Sequence, residues 1–117
     1  MKLSITRSNW LRGEGPISSF LLREEDSKMC CLGFLAKACG AQDGDIVNSK
    51  IPSYAKKVSW PKGIVTVTDS ELGYSTDLTI ELMEVNDLHN KNLSDSIRET
   101  KLKEMFASIG IEVEFVE

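Results

Sequence analysis

The feature that most constrains this 117-residue chain is an unbroken run of apolar residues and glycine between Lys28 and Lys37. A helix on a protein surface carries one apolar stripe, whereas a helix that is apolar on all sides is buried. Ser27 can serve as the N-cap of this run, and Gly40 can end it in a left-handed C-cap. The sequence therefore predicts a buried central helix over 28–39. A buried strand is the alternative, because periodicity does not distinguish short apolar runs of the two kinds.

Gly33 lies inside the predicted helix, where glycine costs about 1 kcal/mol relative to alanine. Glycine is favoured at a position where another backbone comes too close to leave room for a side chain. We therefore expect a second segment of the chain to approach the helix at Gly33.

The remaining patterns predict short strands and two further helices. Alternating or clustered apolar residues predict the strands, and helical spacing of apolar residues predicts the helices. The strands are expected near 2–6, 18–23 and 111–116, and the helices near 76–87 and 95–108. In the last helix, Ile97, Leu102 and Phe106 are expected to face the core. These elements predict an α+β fold, in which a small antiparallel sheet of about three strands is covered by about three helices.

Length and charge limit the possible classes of protein. A chain of 117 residues is expected to form a single domain, 1–117. No apolar run approaches the roughly 20 residues of a membrane span, and no signal-peptide core is recognisable, so we expect a cytoplasmic protein. The net charge is −4, and the acidic residues concentrate after residue 62. The sparse basic residues argue against direct nucleic-acid binding.

Two stretches and the C-terminal end carry a resemblance to known sequences. WLRG at 10–13, KMCCLGF at 28–34 and KEMFASIGIEVEF at 103–115 resemble short proteins of unknown function encoded in bacteriophage and prophage genomes. This resemblance implies a small accessory protein that acts inside a bacterial host. Such proteins often inhibit a host defence protein or a host enzyme, so the resemblance implies a host protein as the partner.

A basic and aromatic set surrounds the glycine-containing loop near the N-terminus. Indole and guanidinium groups together can recognise a nucleotide-like ligand or a small anion. The candidate ligand-binding residues are Arg7, Trp10, Arg12, Arg23 and Lys28. The alternative is structural: Trp10 packs on the sheet, and the arginines pair with nearby glutamates at positions 14, 24 and 25.

An acidic row lies on the helix predicted at 76–87. Asp77, Glu81 and Glu84 are separated by four and three residues and therefore share one face, and Asp87 follows three residues later. Such a row can dock on a basic surface of a partner protein. These four residues are the candidate partner-binding site.

The three cysteines, Cys30, Cys31 and Cys39, lie in the central apolar stretch and are expected to be reduced and structural. A Cys–His pair with His89 would make a cysteine-dependent hydrolase, but nothing in the spacing requires it. Cys31 and Cys39 are about 12 Å apart along a helix, too far to share a zinc ion. We therefore expect neither a metal nor a cofactor.

These patterns favour a non-enzymatic protein that binds and inhibits a host protein. The alternative is a small-ligand binder that sequesters a nucleotide-like signal. The sequence leaves open whether the chain also forms a homo-oligomer.

Overall fold

The structure is a computed structural model, and it describes residues 1–55, 57–66, 74–88 and 93–117. It has a mixed helix and strand architecture, so the α+β class is confirmed in broad terms. The strands are β1 (Lys2–Thr6), β2 (Val65–Thr66), β3 (Tyr74–Ser75) and β4 (Glu112–Val116). The helices are α1 (Cys31–Ala38), α2 (Asp43–Ile46), α3 (Asp77–Asp87) and α4 (Asp95–Ala107). Short 3-10 turns occupy Arg7–Asn9 and Pro52–Tyr54.

The predicted antiparallel sheet of three strands is wrong. β1 and β4 form a two-stranded parallel sheet, with Leu3 opposite Val113 and Ile5 opposite Phe115. These four side chains are buried, while the other face of the sheet is exposed, as the sequence alternation implies. A separate antiparallel pair joins β2 to β3.

The segment 18–23 is not a strand. Leu21 and Leu22 are buried, but Leu22 takes part only in an isolated bridge with Val47. The apolar residues at 18–23 therefore indicate a buried segment and not a paired strand. Leu21 donates its backbone N–H to the carbonyl of Ser49 at 2.7 Å, and Arg23 donates to Lys28 at 2.8 Å. The 18–23 segment is therefore an extended loop that bonds to two different parts of the chain.

The buried central helix is confirmed, but it begins later than predicted. α1 starts at Cys31, and its residues from Cys31 to Ala36 are buried. Ser27 adopts a left-handed conformation with φ of 60°, so Cys30 and not Ser27 occupies the N-cap position. Residues 28–30 are extended, and Met29 forms a parallel bridge with Trp10. Gly40, with φ of 90°, follows the helix in the left-handed conformation expected there.

The close approach predicted at Gly33 is present. A Cβ atom added at Gly33 would lie 1.8 Å from the carbonyl oxygen of Leu21 and 2.9 Å from the Cβ of Met29. No side chain fits at such distances without movement of the backbone. Glycine at this position therefore allows the 18–23 loop to lie directly against α1.

α3 and α4 complete the core beside α1 and the sheet. The side chains of Thr76 and Ser94 accept the N–H groups of Thr79 and Ile97, so these two residues cap the helices. Leu82 of α3 and Leu102 and Phe106 of α4 are fully buried.

One predicted core residue of α4 is wrong. Ile97 is 45% exposed, whereas the neighbouring Arg98 is only 3% exposed. Arg98 continues the spacing of four residues that Leu102 and Phe106 share, so it faces inward with them.

Candidate functional site

An apolar groove of about 680 Å³ lies beside α3. Side chains from the 15–19 loop, the 50–51 segment, α3 and the residues flanking it line this groove. Its apolar lining includes Pro16, Ile51, Ile80, Met83, Leu88 and Leu93. Ile80 and Leu88 are 43% and 47% exposed, so the groove presents apolar surface to solvent. A surface of this kind is typical of binding sites.

Charged groups border this apolar floor. Glu84 and Asp87 come from α3, Lys101 comes from α4, and Lys50 comes from the opposite wall. Lys50 is anchored because its Nζ donates to the carbonyl oxygen of Ile17 at 3.0 Å. The groove therefore offers charges of both signs around an apolar centre.

Asp87 is the half-buried member of this border. Burial raises the pKa of its carboxyl group, while hydrogen bonds from Ser19 and Asn86 and the charge of Arg98 act in the opposite direction. The Nδ2 of Asn86 donates to the Asp87 carboxylate at 2.9 Å. The Asp87 backbone carbonyl also accepts the N–H of Gly15 at 2.9 Å, which joins the loop wall to the end of α3.

A second depression, of about 420 Å³, continues the groove toward α4. It shares Glu84, Val85 and Lys101 with the first and adds Glu81, Glu104 and Met105. We call the two depressions together the α3 groove. Three glutamates and one lysine surround its α4 end, so that end is acidic.

The acidic row predicted from the sequence borders this groove. Asp77, Glu81 and Glu84 are exposed, and Asp87 is half-buried. Glu81, Glu84 and Asp87 line the α3 groove, whereas Asp77 does not line either depression.

The buried Asn86 holds the C-terminal turn of α3 against the rest of the molecule. Its Oδ1 accepts the indole N–H of Trp10 at 2.8 Å and the backbone N–H of Cys31 at 3.1 Å. Its Nδ2 donates to the carbonyl oxygen of Leu11 at 3.0 Å. One amide side chain thereby joins α3, the N-terminal segment and the start of α1, which fixes the position of Asp87 beside it.

Arg98 holds the same turn from α4. Its guanidinium group donates to the carbonyl oxygens of Val85, Asn86 and Leu88 at 2.7, 2.9 and 3.0 Å. The last carbonyl groups of a helix lack intrahelical partners and carry partial negative charge, so a buried cation is favoured there. Burial lowers the pKa of Arg98. The two residues that fix the groove, Asn86 and Arg98, are both fully or almost fully buried.

The predicted ligand-binding residues lie in a different arrangement from the one expected. Trp10 is only 2% exposed, and its ring lies 4.8 Å from that of Phe115 and 4.6 Å from the guanidinium carbon of Arg12. The indole is therefore covered on the faces that a ligand would stack against. This packing corresponds to the structural alternative drawn from the sequence.

The basic members of that set are held by internal contacts. Arg7 makes two hydrogen bonds to Glu99, at 2.8 and 3.0 Å, and Arg12 lies 3.3 Å from Asp95. Arg23 contacts the carboxylate groups at positions 26 and 14, at 2.6 and 3.5 Å. Lys28 is half-buried, and its charge helps to lower the pKa of the carboxyl group at position 26, whose main cause is the Arg23 hydrogen bond. These contacts engage the groups that a ligand anion would need.

No protein-family model matches the chain, and neither curated proteins nor solved structures give a significant match. The resemblance to bacteriophage proteins therefore stays a prediction. A function for this chain is therefore inferred from the geometry of the α3 groove and from the charges around it.

The cysteines are poor nucleophiles in this fold. Burial raises the pKa of Cys30 to about 12 and raises the pKa of Cys31 well above that of a free thiol. Cys39 is half-buried, and burial raises its pKa as well. His89, the predicted partner in a Cys–His pair, lies outside the described residues. Within the described ranges, no group of Cys, His, Asp and Glu residues could hold a metal ion.

None of the helices in the described part of the chain is long and apolar enough to span a bilayer.

Sequence reasoning missed four residues that shape the groove: Asn86, Arg98, Lys50 and Lys101. The helical spacing of buried residues could have identified two of these four residues. Asn86 continues the buried spacing of Thr79 and Leu82 along α3, and Arg98 continues that of α4. No local pattern could have placed the two lysines, because they reach the groove from other elements.

Proposed function

We propose that this chain is a non-catalytic binding protein that docks on a partner protein through the α3 groove. In the setting that the bacteriophage resemblance implies, the partner is a host protein, and docking inhibits it. The observation that carries the proposal is an apolar groove of about 680 Å³ bordered by an exposed row of carboxylates. Apolar centres with polar rims are the usual anatomy of protein interfaces.

The apolar floor supports contact with apolar side chains of the partner. The groove volume is in the range of sites that accept one or two large side chains or a small molecule. Burying Ile80 and Leu88, which are now about half exposed, would add to the affinity through the hydrophobic effect.

The charges around the groove favour a basic partner surface. Asp77, Glu81 and Glu84 are exposed on α3, and Glu104 extends the acidic surface onto α4. Lys50 and Lys101 offset part of this charge, and Glu81, Glu84, Asp87 and Glu104 leave the α3 groove acidic as a whole. Complementary charge steers association and suppresses the wrong partners, so the surface selects for Lys and Arg around an apolar anchor.

The test compares the wild-type chain with two charge-reversal variants. The chain is used to capture a partner from a bacterial lysate, and the affinity of the purified partner is then measured at low and high salt. Glu81→Lys with Glu84→Lys should weaken binding and reduce its salt dependence. Glu24→Lys with Glu25→Lys, in an exposed turn that lines neither depression, is the matched control and should change affinity little.

Either of two results would overturn this assignment. Equal affinity of the α3 variant and the wild-type chain would remove the acidic row from the interface. Equal weakening by both variants would show that only net charge matters and that α3 has no special role. The measurement in each case is the dissociation constant.

The alternative function, sequestration of a nucleotide-like ligand, receives less support. Its residues Arg7, Trp10 and Arg12 are covered or paired, so a ligand would first have to break these contacts. A thermal-shift screen of nucleotides tests this alternative. A shift that disappears in the Arg12→Ala variant would favour it over the α3 groove.

A further inference from the structure

Among the residues that the structure describes, the outer edge of β4 has backbone hydrogen-bonding groups without a strand partner, and the proposed function does not use them. In a parallel pair, alternate residues of each strand bond to the neighbouring strand. The N–H of Glu112 donates to the carbonyl oxygen of Met1 at 2.8 Å, so Glu112, Glu114 and Val116 face β1. The N–H and C=O groups of Val113 and Phe115 therefore point to the opposite edge.

Within the described residues, this outer edge has no neighbouring strand. In the described part of the chain, the sheet consists of β1 and β4, and no backbone group outside this pair bonds to Val113 or Phe115. A depression of about 510 Å³ runs between this strand and α4, and its lining includes Lys103, Ala107 and Val113. An open edge beside a depression is the arrangement that accepts an added strand.

The side chains of β4 select the chemistry of such a strand. Glu112 and Glu114 are exposed on the solvent face, while Val113 and Phe115 face the core. An added strand has side chains on the same two faces in alternation. Its solvent-face residues would lie beside the two glutamates. Its other residues would lie toward the depression, whose lining combines Ala107, Ile111 and Val113 with Lys103 and Glu112. Opposite charges across strands are favourable, so the fitting strand alternates Lys or Arg with apolar residues.

A second copy of this chain fits the edge poorly. Antiparallel pairing of two β4 strands through Val113 and Phe115 would place Glu114 opposite itself or opposite Glu112. Like charges directly opposite each other destabilise a strand pair. Lys2 lies 3.5 Å from Glu114 and neutralises only one of the two carboxylates. The occupant is therefore a different chain with basic residues.

We propose that the outer edge of β4 is a strand-addition site for a partner segment in which basic and apolar residues alternate. This surface is separate from the α3 groove, so the chain has two distinct places at which a partner can bind. A single partner could use both, and the charges of both surfaces favour a basic one.

Amide hydrogen exchange of the unbound 117-residue chain tests whether the outer edge of β4 is uncovered. The amides of Val113 and Phe115 should exchange at least about tenfold faster than those of Glu114 and Val116, which β1 protects. Slow exchange of Val113 and Phe115 in the monomer would mean that the edge is already covered and would overturn the proposal.

The binding test uses a defined probe, an alternating Val–Lys peptide of about six residues with blocked ends. It should bind and protect the Val113 and Phe115 amides. The control peptide has the same charge but carries N-methyl groups on the alternate amides that face β4. Its binding should be at least about tenfold weaker, because methylation removes the backbone donors. Equal binding of the two peptides would show simple charge attraction and overturn the proposal.

Variants locate the peptide on the molecule. Glu112→Lys with Glu114→Lys should weaken binding of the Val–Lys peptide by about tenfold or more. The exposed pair Glu24→Lys and Glu25→Lys is again the matched control and should leave it nearly unchanged. Reversal on α3 should also have little effect, which separates this proposal from the proposed function. Unchanged affinity of the β4 variant, or dimerisation of the free chain through β4, would each overturn it.

Discussion

Replacement of Asn86 by alanine should cost this protein a large share of its stability. Asn86 is fully buried, and its amide group satisfies the Trp10 indole N–H, the Cys31 backbone N–H and the Leu11 carbonyl oxygen. Alanine at this position would leave all three groups without their partner. The substitution would also remove the side-chain link between α3, the start of α1 and the N-terminal segment, while the backbone bond from Gly15 to Asp87 would remain.

The expected magnitude follows from these three groups. A buried polar group that loses its partner costs about 1–3 kcal/mol, so three groups give about 3–9 kcal/mol. The removed amide leaves space with several polar neighbours, and a water molecule can occupy such a site and recover part of the loss. We therefore expect a decrease of about 3–5 kcal/mol in the free energy of unfolding. A chain of this length has about 6–17 kcal/mol in total.

The assay is equilibrium unfolding by denaturant, with three comparison variants. Trp10→Phe removes the indole donor and part of a buried ring, so it should cost about 2–4 kcal/mol. The double variant with Asn86→Ala should cost less than the sum of the two, with a coupling of about 0.5–3 kcal/mol. Asn9→Ala, at an exposed position, is the matched control and should stay within about 0.5 kcal/mol of the wild type.

Two results would refute this reasoning about Asn86. A loss below about 1 kcal/mol for Asn86→Ala would mean that the amide does not satisfy buried groups. Strict additivity with Trp10→Phe would mean that the indole and the amide do not interact. If Asn86→Ala fails to fold, the Trp10→Phe measurement still tests the bond between them.

Three further predictions concern the helix contact, the thiols and one ion pair. Gly33→Ala should lower thermal stability despite the better helix propensity of alanine, because its Cβ would overlap a backbone carbonyl oxygen at 1.8 Å; an unchanged melting temperature would contradict this. A thiol reagent near neutral pH should label the half-buried Cys39 before the buried Cys30, as followed by mass spectrometry of digests. The pKa of Asp26 should be about 2, and Arg23→Gln should raise it toward 3.8, as measured by NMR titration. Because this pKa is lowered in the folded state, its stabilising contribution is present above pH 3.8 and is lost as the pH falls toward 2.

Local patterns in the sequence were sufficient to predict most of the elements but not their arrangement. The alternation in β1 and β4 and the apolar run of α1 each act within a few residues, and the structure confirms them. The parallel pairing of β1 with β4 joins residues more than 100 positions apart. Nothing in either strand's own sequence specifies the direction of its partner.

Apolar character alone predicts neither strand pairing nor every buried position in this chain. Leu21 and Leu22 are buried because the 18–23 loop packs against Gly33, and this requires no strand. Arg98 is buried because the carbonyl groups at the end of α3 need a donor. A polar residue at a core position is informative, because burying it requires a partner for each of its groups.

The binding surface predicted from the sequence was the acidic row of Asp77, Glu81, Glu84 and Asp87, and the carboxylates of the acidic half of the chain lie in three settings. Some are used inside the fold, such as Glu99, which pairs with Arg7. A second group borders the α3 groove, and a third lies along β4 as Glu112 and Glu114. The net charge of this half of the chain therefore overstates the negative charge of any single surface. The double reversals of Glu81 and Glu84 on α3 and of Glu112 and Glu114 on β4 change the net charge by the same amount. A difference between their effects on binding must therefore come from where the charges lie.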